Sequence, residues 1–268
     1  MPLIFSLYLS FTRWDLISPL EFVGLANYVR ILTRDPLFRT ACYNVLYIGV
    51  IGCLGEFLGA LSLAFILDSP KVKGRHILRS TYFLPTLVSG VAMSLVFYQL
   101  FANRYGFVNN LLASLGLERV PWLGGDGRYI NLVIVIMGIW QSVGWSMILI
   151  TAGLQGIPRE LYEAAYIDGA GSLGVLLRIT MPLLRPTLVY LVVMMVAGSI
   201  QYFEGPLILT GHLTGGPNNA GMTLSSLMFW NAFTNAKAGY GAALGYIITV
   251  AVVVFSLASA KLVGRGQD

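Results

Sequence analysis

Apolar runs alternate with polar intervals along the whole chain, and the runs set its plan. Residues 41–67, 80–101, 130–154, 187–209 and 239–260 are each long and apolar enough to be predicted as a membrane-crossing helix. About 20 helical residues cross a hydrocarbon core of about 30 Å. Residues 2–11 are also apolar, but as helix they would rise only about 15 Å. They are expected to form the outer half of a first span whose beginning is not in this sequence. Between the runs, 14–40, 103–129 and 210–238 are polar enough to lie outside the bilayer. Leu25, Tyr28, Val29 and Leu32 recur at helical spacing within 22–32 and predict an amphipathic helix on the membrane surface or a packed external loop. A second interfacial helix is expected over FVNNLLASLGL, residues 107–117.

Within the runs, small and polar residues fall on definite faces. Gly49, Gly52, Gly55 and Gly59 leave a face for close helix approach, which replaces hydrophobic drive in lipid. Glu56 sits in mid-span, where an acid is costly unless it meets protein or water; a functional and a hydrogen-bonded structural role stay open. On the fourth span Gly138, Gln141, Ser142 and Trp145 share one stripe. Amide, hydroxyl and indole together suit a polyhydroxyl ligand, through directional hydrogen bonds and a flat apolar face. On the fifth span Met195, Ser199 and Tyr202 share a face, followed by Gln201 and Glu204 near its outer end. Helix–helix hydrogen bonding is the alternative use of these residues. For Glu204, gating or a structural role stands beside solute contact.

Composition agrees with the pattern. The chain is 56% hydrophobic and 11% charged, against roughly 25% charged in ordinary soluble domains. That excludes a water-soluble globule. The net charge of +5 forms no basic cluster that would track nucleic acid. Cys42 and Cys53, in or beside one apolar run, are read as small core residues rather than a disulfide. The short interval 68–79 holds Lys71, Lys73, Arg75 and Arg79 and is therefore assigned to the cytoplasm, as is 156–186.

That second cytoplasmic interval, GIPRELYEAAYIDGAGSLGVLLRITMPLLRP, is written as structure. Pro158 suits the first helical position, and Glu160 and Glu163 suit the positive helix end. Leu161, Ala164 and Ala165 are expected on one face. Gly169 and Gly171 stop this helix, Ser172 is expected to cap a second, and Pro182 to end it. Glu163-Ala164-Ala165, Gly169 after three residues, and Ile179-x-Met181-Pro182 after nine resemble the EAA loop of binding-protein-dependent ABC importers. Met181 departs from the usual Leu, a conservative change. SLYLSFTRWDL near the start and LTGGPNNAGMTL, 213–224, resemble the sugar and glycerol-phosphate permeases of that group.

The resemblance implies an all-α, polytopic, six-helix permease: residues 1–268 as one transmembrane domain, with 156–186 as its coupling loop. It implies docking on a separate ATPase through Arg159, Glu160, Tyr162, Glu163, Ala164, Ala165, Asp168 and Gly169, with Ile179 and Pro182 completing the pattern. It also selects the same two polar stripes for solute, to which Glu56 is added from its mid-span position alone. The partners it implies are a second permease, expected to be a distinct chain, two ATPase subunits and an external solute-binding protein. ATP and magnesium would be bound by the ATPase, with no cofactor, metal or catalytic residue in this chain. Absences agree: no GK[ST] is present, and the only histidines are His76 and His212. The expected function is import of a sugar or related polyol across a bacterial or archaeal inner membrane. The alternative is a stand-alone ion-coupled carrier or channel using Glu56 and Glu204, and a third is a non-transporting membrane scaffold.

Overall fold

The computed structural model describes residues 2–69 and 72–264. Lys71, one of the basic residues used for orientation, lies outside the described residues. Among those described, Pro36–Asp68, Ile130–Gln155, Ser172–Gln201 and Ala238–Lys261 are long and apolar enough to cross a membrane. A bent pair, Arg75–Leu87 with Gly90–Phe101, supplies a fifth crossing if taken as one span. The chain divides into two compact units. One comprises Met1–Gly52, Ser89–Gly138 and Ala197–Val254; the other comprises Cys53–Val88, Ile139–Val196 and Phe255–Asp268.

In the first unit, α1 (Pro2–Ser10) leads into a ribbon of β1 (Thr12–Arg13) and β2 (Glu21–Phe22), the one departure from an all-helical plan among the described residues. The surface helix α2 runs Ala26–Arg34, starting later than expected because Phe22 belongs to the ribbon. Its Leu25, Val29 and Leu32 side is exposed, while Ile31 is buried and the Tyr28 hydroxyl donates to Ser10 Oγ at 2.7 Å. The helix α3 spans Pro36–Asp68 and starts five residues before the expected 41. The cause is local: Asp35 Oδ1 accepts from Leu37 N at 2.9 Å, and Pro36 opens the helix where no N–H is needed. The Tyr240 hydroxyl donates to the other Asp35 oxygen at 2.5 Å.

Two asparagines organise the connecting segments. Asn109, on α6 (Phe107–Ser114), is fully buried. Its amide donates to the Asn103 and Val120 carbonyls, and its oxygen accepts from Val120 N and the Trp122 indole. The helix stops short of the expected 117 because Gly116 turns left-handed and Leu117 N closes on the Leu112 carbonyl at 2.9 Å. Asn44, on α3, donates to the Asn219 and Met222 carbonyls and accepts from Asn131 on α7 (Ile130–Gln155). These bonds hold the glycine-rich 213–224 loop, which feeds α12 (Leu224–Phe229) through a Thr223–Ser226 capping box.

The second unit shows glycines at close quarters. Cβ atoms at Gly55 and Gly59 would meet Ile139 and Val143 of α7. At Gly144 a Cβ would run into the Tyr82 backbone carbonyl, whereas at Gly52 it would meet nothing within 4 Å. The core of this unit gathers Ala60, Ala64 and Leu67 of α3 with Met147, Ile150 and Leu154 of α7. Leu184, Leu188 and Leu191 of α10 (Met181–Gln201) complete it.

Three expectations about continuity are corrected. The expected span 80–101 is broken: α4 (Arg75–Phe83) runs into a 3₁₀ turn at Leu84–Leu87, then bends by 97° into α5 (Gly90–Phe101). Pro85 lacks the N–H a continuous helix needs, and Ser89 Oγ restarts the helix by accepting from Ala92 N. The expected span 187–209 is displaced. Its helix runs Ser172–Gln201 and stops, and α11 (Glu204–Thr210) follows as a separate piece because Pro206 cannot donate. Conversely, Pro182 does not end a helix. A wide π-turn at Leu176–Thr180 after α9 (Ser172–Val175) relieves the proline's clash and passes directly into α10.

Gly144→Ala should therefore destabilise the folded protein by about 1–3 kcal/mol, the usual cost of overpacking against backbone. Gly52→Ala should leave it unchanged. Thermal unfolding of the two detergent-purified variants checks this, and equal melting temperatures would contradict the packing described.

Candidate functional site

The helix α8 (Arg159–Ile167) carries the EAA residues. Pro158 is the residue before its first turn rather than within it, a shift of one position. Its C-terminus is closed by paired bonds: Ala170 N to the Ala165 carbonyl at 2.9 Å and Gly169 N to the Tyr166 carbonyl at 3.1 Å. Gly169 is left-handed at φ 77°, so glycine is the residue that permits this closure. Gly171, not the expected Ser172, precedes the next helix, and no side chain caps it.

The inward face of α8 differs from the one expected. Ala165 is buried and Tyr162 packs on the core of the second unit, with the Thr180 hydroxyl 3.4 Å from the Tyr162 hydroxyl. Leu161 and Ala164, expected beside Ala165, are exposed. A spacing of three sets this division: 162 and 165 turn in, while 161 and 164 turn out. Arg159, Glu160, Glu163, Asp168 and Gly169 are exposed as well, as is Pro182, and Ile179 is half-buried. Exposed Ile167, Leu173 and Leu177 give the segment a large apolar surface.

Of the polar residues predicted for solute, the second unit holds Glu56, Gln141, Ser142, Trp145 and Met195. Glu56 accepts from Ser146 Oγ at 2.5 Å and from Ser142, so two hydroxyls one turn apart on α7 hold its carboxylate. Gln141 Nε2 donates to the Val88 carbonyl at 3.1 Å, and its own backbone carbonyl accepts from Thr86 Oγ1 at 2.9 Å. Both bonds land on the break between α4 and α5. Trp145 is 47% exposed, with Phe83 6.3 Å away ring to ring. Met195 is buried within the hydrophobic core, surrounded by apolar side chains.

The first unit holds Gly138, Ser199, Gln201, Tyr202 and Glu204. A Cβ at Gly49 would lie 3.0 Å from Ser199 Oγ, and a Cβ at Gly90 would lie 3.1 Å from Glu204 Oε2. The Glu204 carboxylate thus sits at the first residue of α5, where a helix N-terminus favours negative charge. Gly205 leaves room for the Tyr202 phenol and for Met137; a Cβ there would strike the Tyr202 hydroxyl. Gln201 is exposed and donates to its own Ala197 carbonyl at 3.2 Å, and Gly138 is open on its Cβ side. Phe203, Phe229 and Phe233 form a chain of rings 5.3 and 4.7 Å apart, ending on exposed Phe233. Sequence reasoning passed over those rings, and over Thr86, Asn44 and Asn131. An asparagine inside an apolar run was the available signal.

Comparison with known proteins places this arrangement. The sequence profile of the family described as "Binding-protein-dependent transport system inner membrane component" matches residues 60–265. The probable ABC transporter permease protein YurN of Bacillus subtilis is 34% identical, over 100% of this chain and 91% of its own length. The arabinooligosaccharides transport system permease protein AraP of the same organism is 33% identical, over 98% and 82%. The trehalose/maltose transport system permease protein MalF of Thermococcus litoralis is 34% identical, over 91% and 80%. Among solved structures, a chain of a bacterial alginate ABC transporter superposes with a TM-score of 0.80 at 25% identity, covering 90% of this chain and 83% of that one. That transporter was crystallised with an alginate pentasaccharide-bound periplasmic protein.

The geometry separates two roles for Glu56. Glu56→Gln keeps an oxygen that accepts from Ser142 and Ser146 and should fold and transport close to wild type. Glu56→Leu strands both hydroxyls and should lower stability by about 1–3 kcal/mol. Uptake in reconstituted vesicles and thermal unfolding read the two variants; loss of transport in Glu56→Gln with an unchanged melt would make the charge itself functional.

Proposed function

This chain belongs to the binding-protein-dependent transport system inner membrane component family, and we propose that it is the permease subunit through which an ATP-driven importer passes a sugar or related polyol. The sugar class is supported by the names of relatives that align along most of their length with most of this chain. A second permease completes the pathway, two ATPase subunits bind ATP and magnesium, and an external binding protein delivers the solute. The membrane is the inner membrane of a bacterium or archaeon, and 156–186 faces its cytoplasm.

The observation that carries the reading is the construction of α8. It presents Arg159, Glu160, Glu163, Ala164 and Asp168 outward, while Tyr162 packs on the core that joins α3, α7 and α10 and Ala165 is buried. An ATPase that engages the outward face moves a body rather than a loose loop. The exposed Ile167, Leu173 and Leu177 add apolar area to that contact, and Glu160 and Glu163 add polar register.

Taking each unit by itself, solute contact is assigned to Trp145 in the second, with Gln141 and Ser142 on the same helix, and to Gln201 and Tyr202 in the first, with Ser199 and Gly138. Trp145 offers an exposed indole face for sugar C–H groups. Gln141, Ser142 and Glu56 already hold helix-to-helix bonds, so their part in solute contact is secondary. A stand-alone carrier using Glu56 and Glu204 as a relay finds no support: one carboxylate is locked by serines and the other sits at a helix end.

Gly169→Val should abolish solute-stimulated ATP hydrolysis and uptake while the chain still inserts in the membrane. A β-branched residue at φ 77° costs about 1–3 kcal/mol in backbone strain and opens the cap of α8. Uptake, ATPase assays and membrane immunoblots on the same cells check this. Full uptake by the variant would remove α8 from the coupling role. Trp145→Ala should leave assembly intact, raise KM for solute about tenfold and leave basal ATP hydrolysis unchanged.

A further inference from the structure

At one end of the second unit lies a cavity of about 300 Å³ that the transport reading does not use, lined by Arg79, Ser80, Phe83, Ile148, Thr151, Ala152 and Gln155. Both lining helices, α4 and α7, contribute polar and apolar side chains to it. Arg79 Nη2 is committed to the end of α3, donating to the Leu67 carbonyl at 2.9 Å and to Asp68 Oδ1 at 3.3 Å. Arg79 Nε is buried and has no hydrogen-bond partner among the described residues. The same holds for Thr151 Oγ1, on a residue only 5% exposed.

Both groups belong to residues that line this cavity, and left unmet each costs about 1–3 kcal/mol. The guanidinium N–H can only donate and the hydroxyl can donate, so what meets both is an acceptor and preferentially an anion. Gln155 adds an amide at the rim, and Phe83, Ile148 and Ala152 supply an apolar wall. On α4 and the turn after it, Ile77, Leu84 and Leu87 are exposed apolar side chains close in sequence to the lining residues. Thr151 and Gln155 lie in the last turns of α7, within about 6 Å of rise from each other, at the end that basic residues assign to the cytoplasm.

We propose that this cavity is a phosphate-group site, and that its ligand is the headgroup of an anionic phospholipid of the inner leaflet. The phosphate oxygens accept from Arg79 Nε and Thr151 Oγ1, and the acyl chains follow Phe83 and the Ile77–Leu84–Leu87 flank. A basic pocket with an apolar exit at headgroup depth is the arrangement such lipids need. The ligand would bridge α4 to α7 beside the end of α3, next to the core on which Tyr162 rests, and so stiffen the body that α8 moves.

The test uses the assembled transporter purified from membranes, in wild-type, Thr151→Val and Arg79→Lys forms. Thr151→Val preserves shape and removes the hydroxyl; Arg79→Lys keeps the charge and removes Nε. Native mass spectrometry after exchange into phosphatidylglycerol-containing micelles should show about tenfold fewer lipid adducts on Thr151→Val than on wild type. Phosphatidylcholine, whose choline cancels the net charge of the same phosphodiester, should show a smaller difference. In parallel, inorganic phosphate is titrated against the melting temperature in lipid-free detergent. Stabilisation of wild type but not Thr151→Val by phosphate, without lipid discrimination, assigns the same site to a free anion. Equal adducts on all three proteins together with no phosphate-dependent stabilisation overturn the proposal. Unchanged melting of Thr151→Val without ligand shows that lost binding is not lost folding.

Discussion

Every backbone donor and acceptor at membrane depth has to be met by the protein itself, because hydrocarbon offers no alternative. This chain nonetheless interrupts two of its apolar runs, after Leu87 and after Gln201. Much of its polar chemistry answers that constraint. The carbonyl of Val88 at the first interruption takes the Gln141 amide, Thr86 turns its hydroxyl to the Gln141 carbonyl, and Ser89 restarts the helix. At the second, Pro206 removes a donor that a continuous helix would have needed, so one fewer group is orphaned. Polar side chains on apolar helices thus allow the backbone around them to be irregular.

The second constraint is how closely helices approach without water to drive them together. On α3 the large side chains Tyr43, Leu46, Val50, Leu54 and Leu58 are exposed, while the side with Ala60 and Ala64 is buried. A soluble helix has the opposite order. Gly55 and Gly59 bring the α3 backbone against Ile139 and Val143, where dispersion contacts and the bonds from Ser142 and Ser146 to Glu56 hold it. Among the four long candidate spans, α7 has the best buried apolar window, at 44% against 17% for α3. It carries Gly138, Gln141, Ser142, Gly144 and Trp145 because it must serve neighbours on several sides.

What was legible in the sequence follows from these constraints. Apolar length gave the spans, and the EAA spacing gave α8 with its glycine stop, because both depend on residues near one another in the chain. Proline was the ambiguous letter. Pro85 and Pro206 break their helices, whereas Pro182 and Pro186 lie within α10. The difference is a π-turn at Leu176–Thr180, whose wide geometry no local propensity announces. Helix faces were legible only in part. Leu161, Ala164 and Ala165 share a helical side by spacing, yet the neighbour that Ala165 and Tyr162 meet is set by tertiary packing. Met195 shows the same limit: on a polar stripe by periodicity, it belongs to the core by position.

Those particulars bear on how force can pass through the chain. A lever transmits motion only if its attachment is stiffer than its load. Ile157 is buried just before α8, Tyr162 packs its middle on the core, Ala165 is buried, and the paired bonds around Gly169 close its end. Beyond it, Val175 and Thr180 are buried as the chain turns into α10 without a flexible linker. The π-turn that makes Pro182 harmless is therefore also what makes the connection continuous. A conventional proline break there would have left α8 on a hinge, and displacement of the helix would have been absorbed in the loop instead of reaching α10.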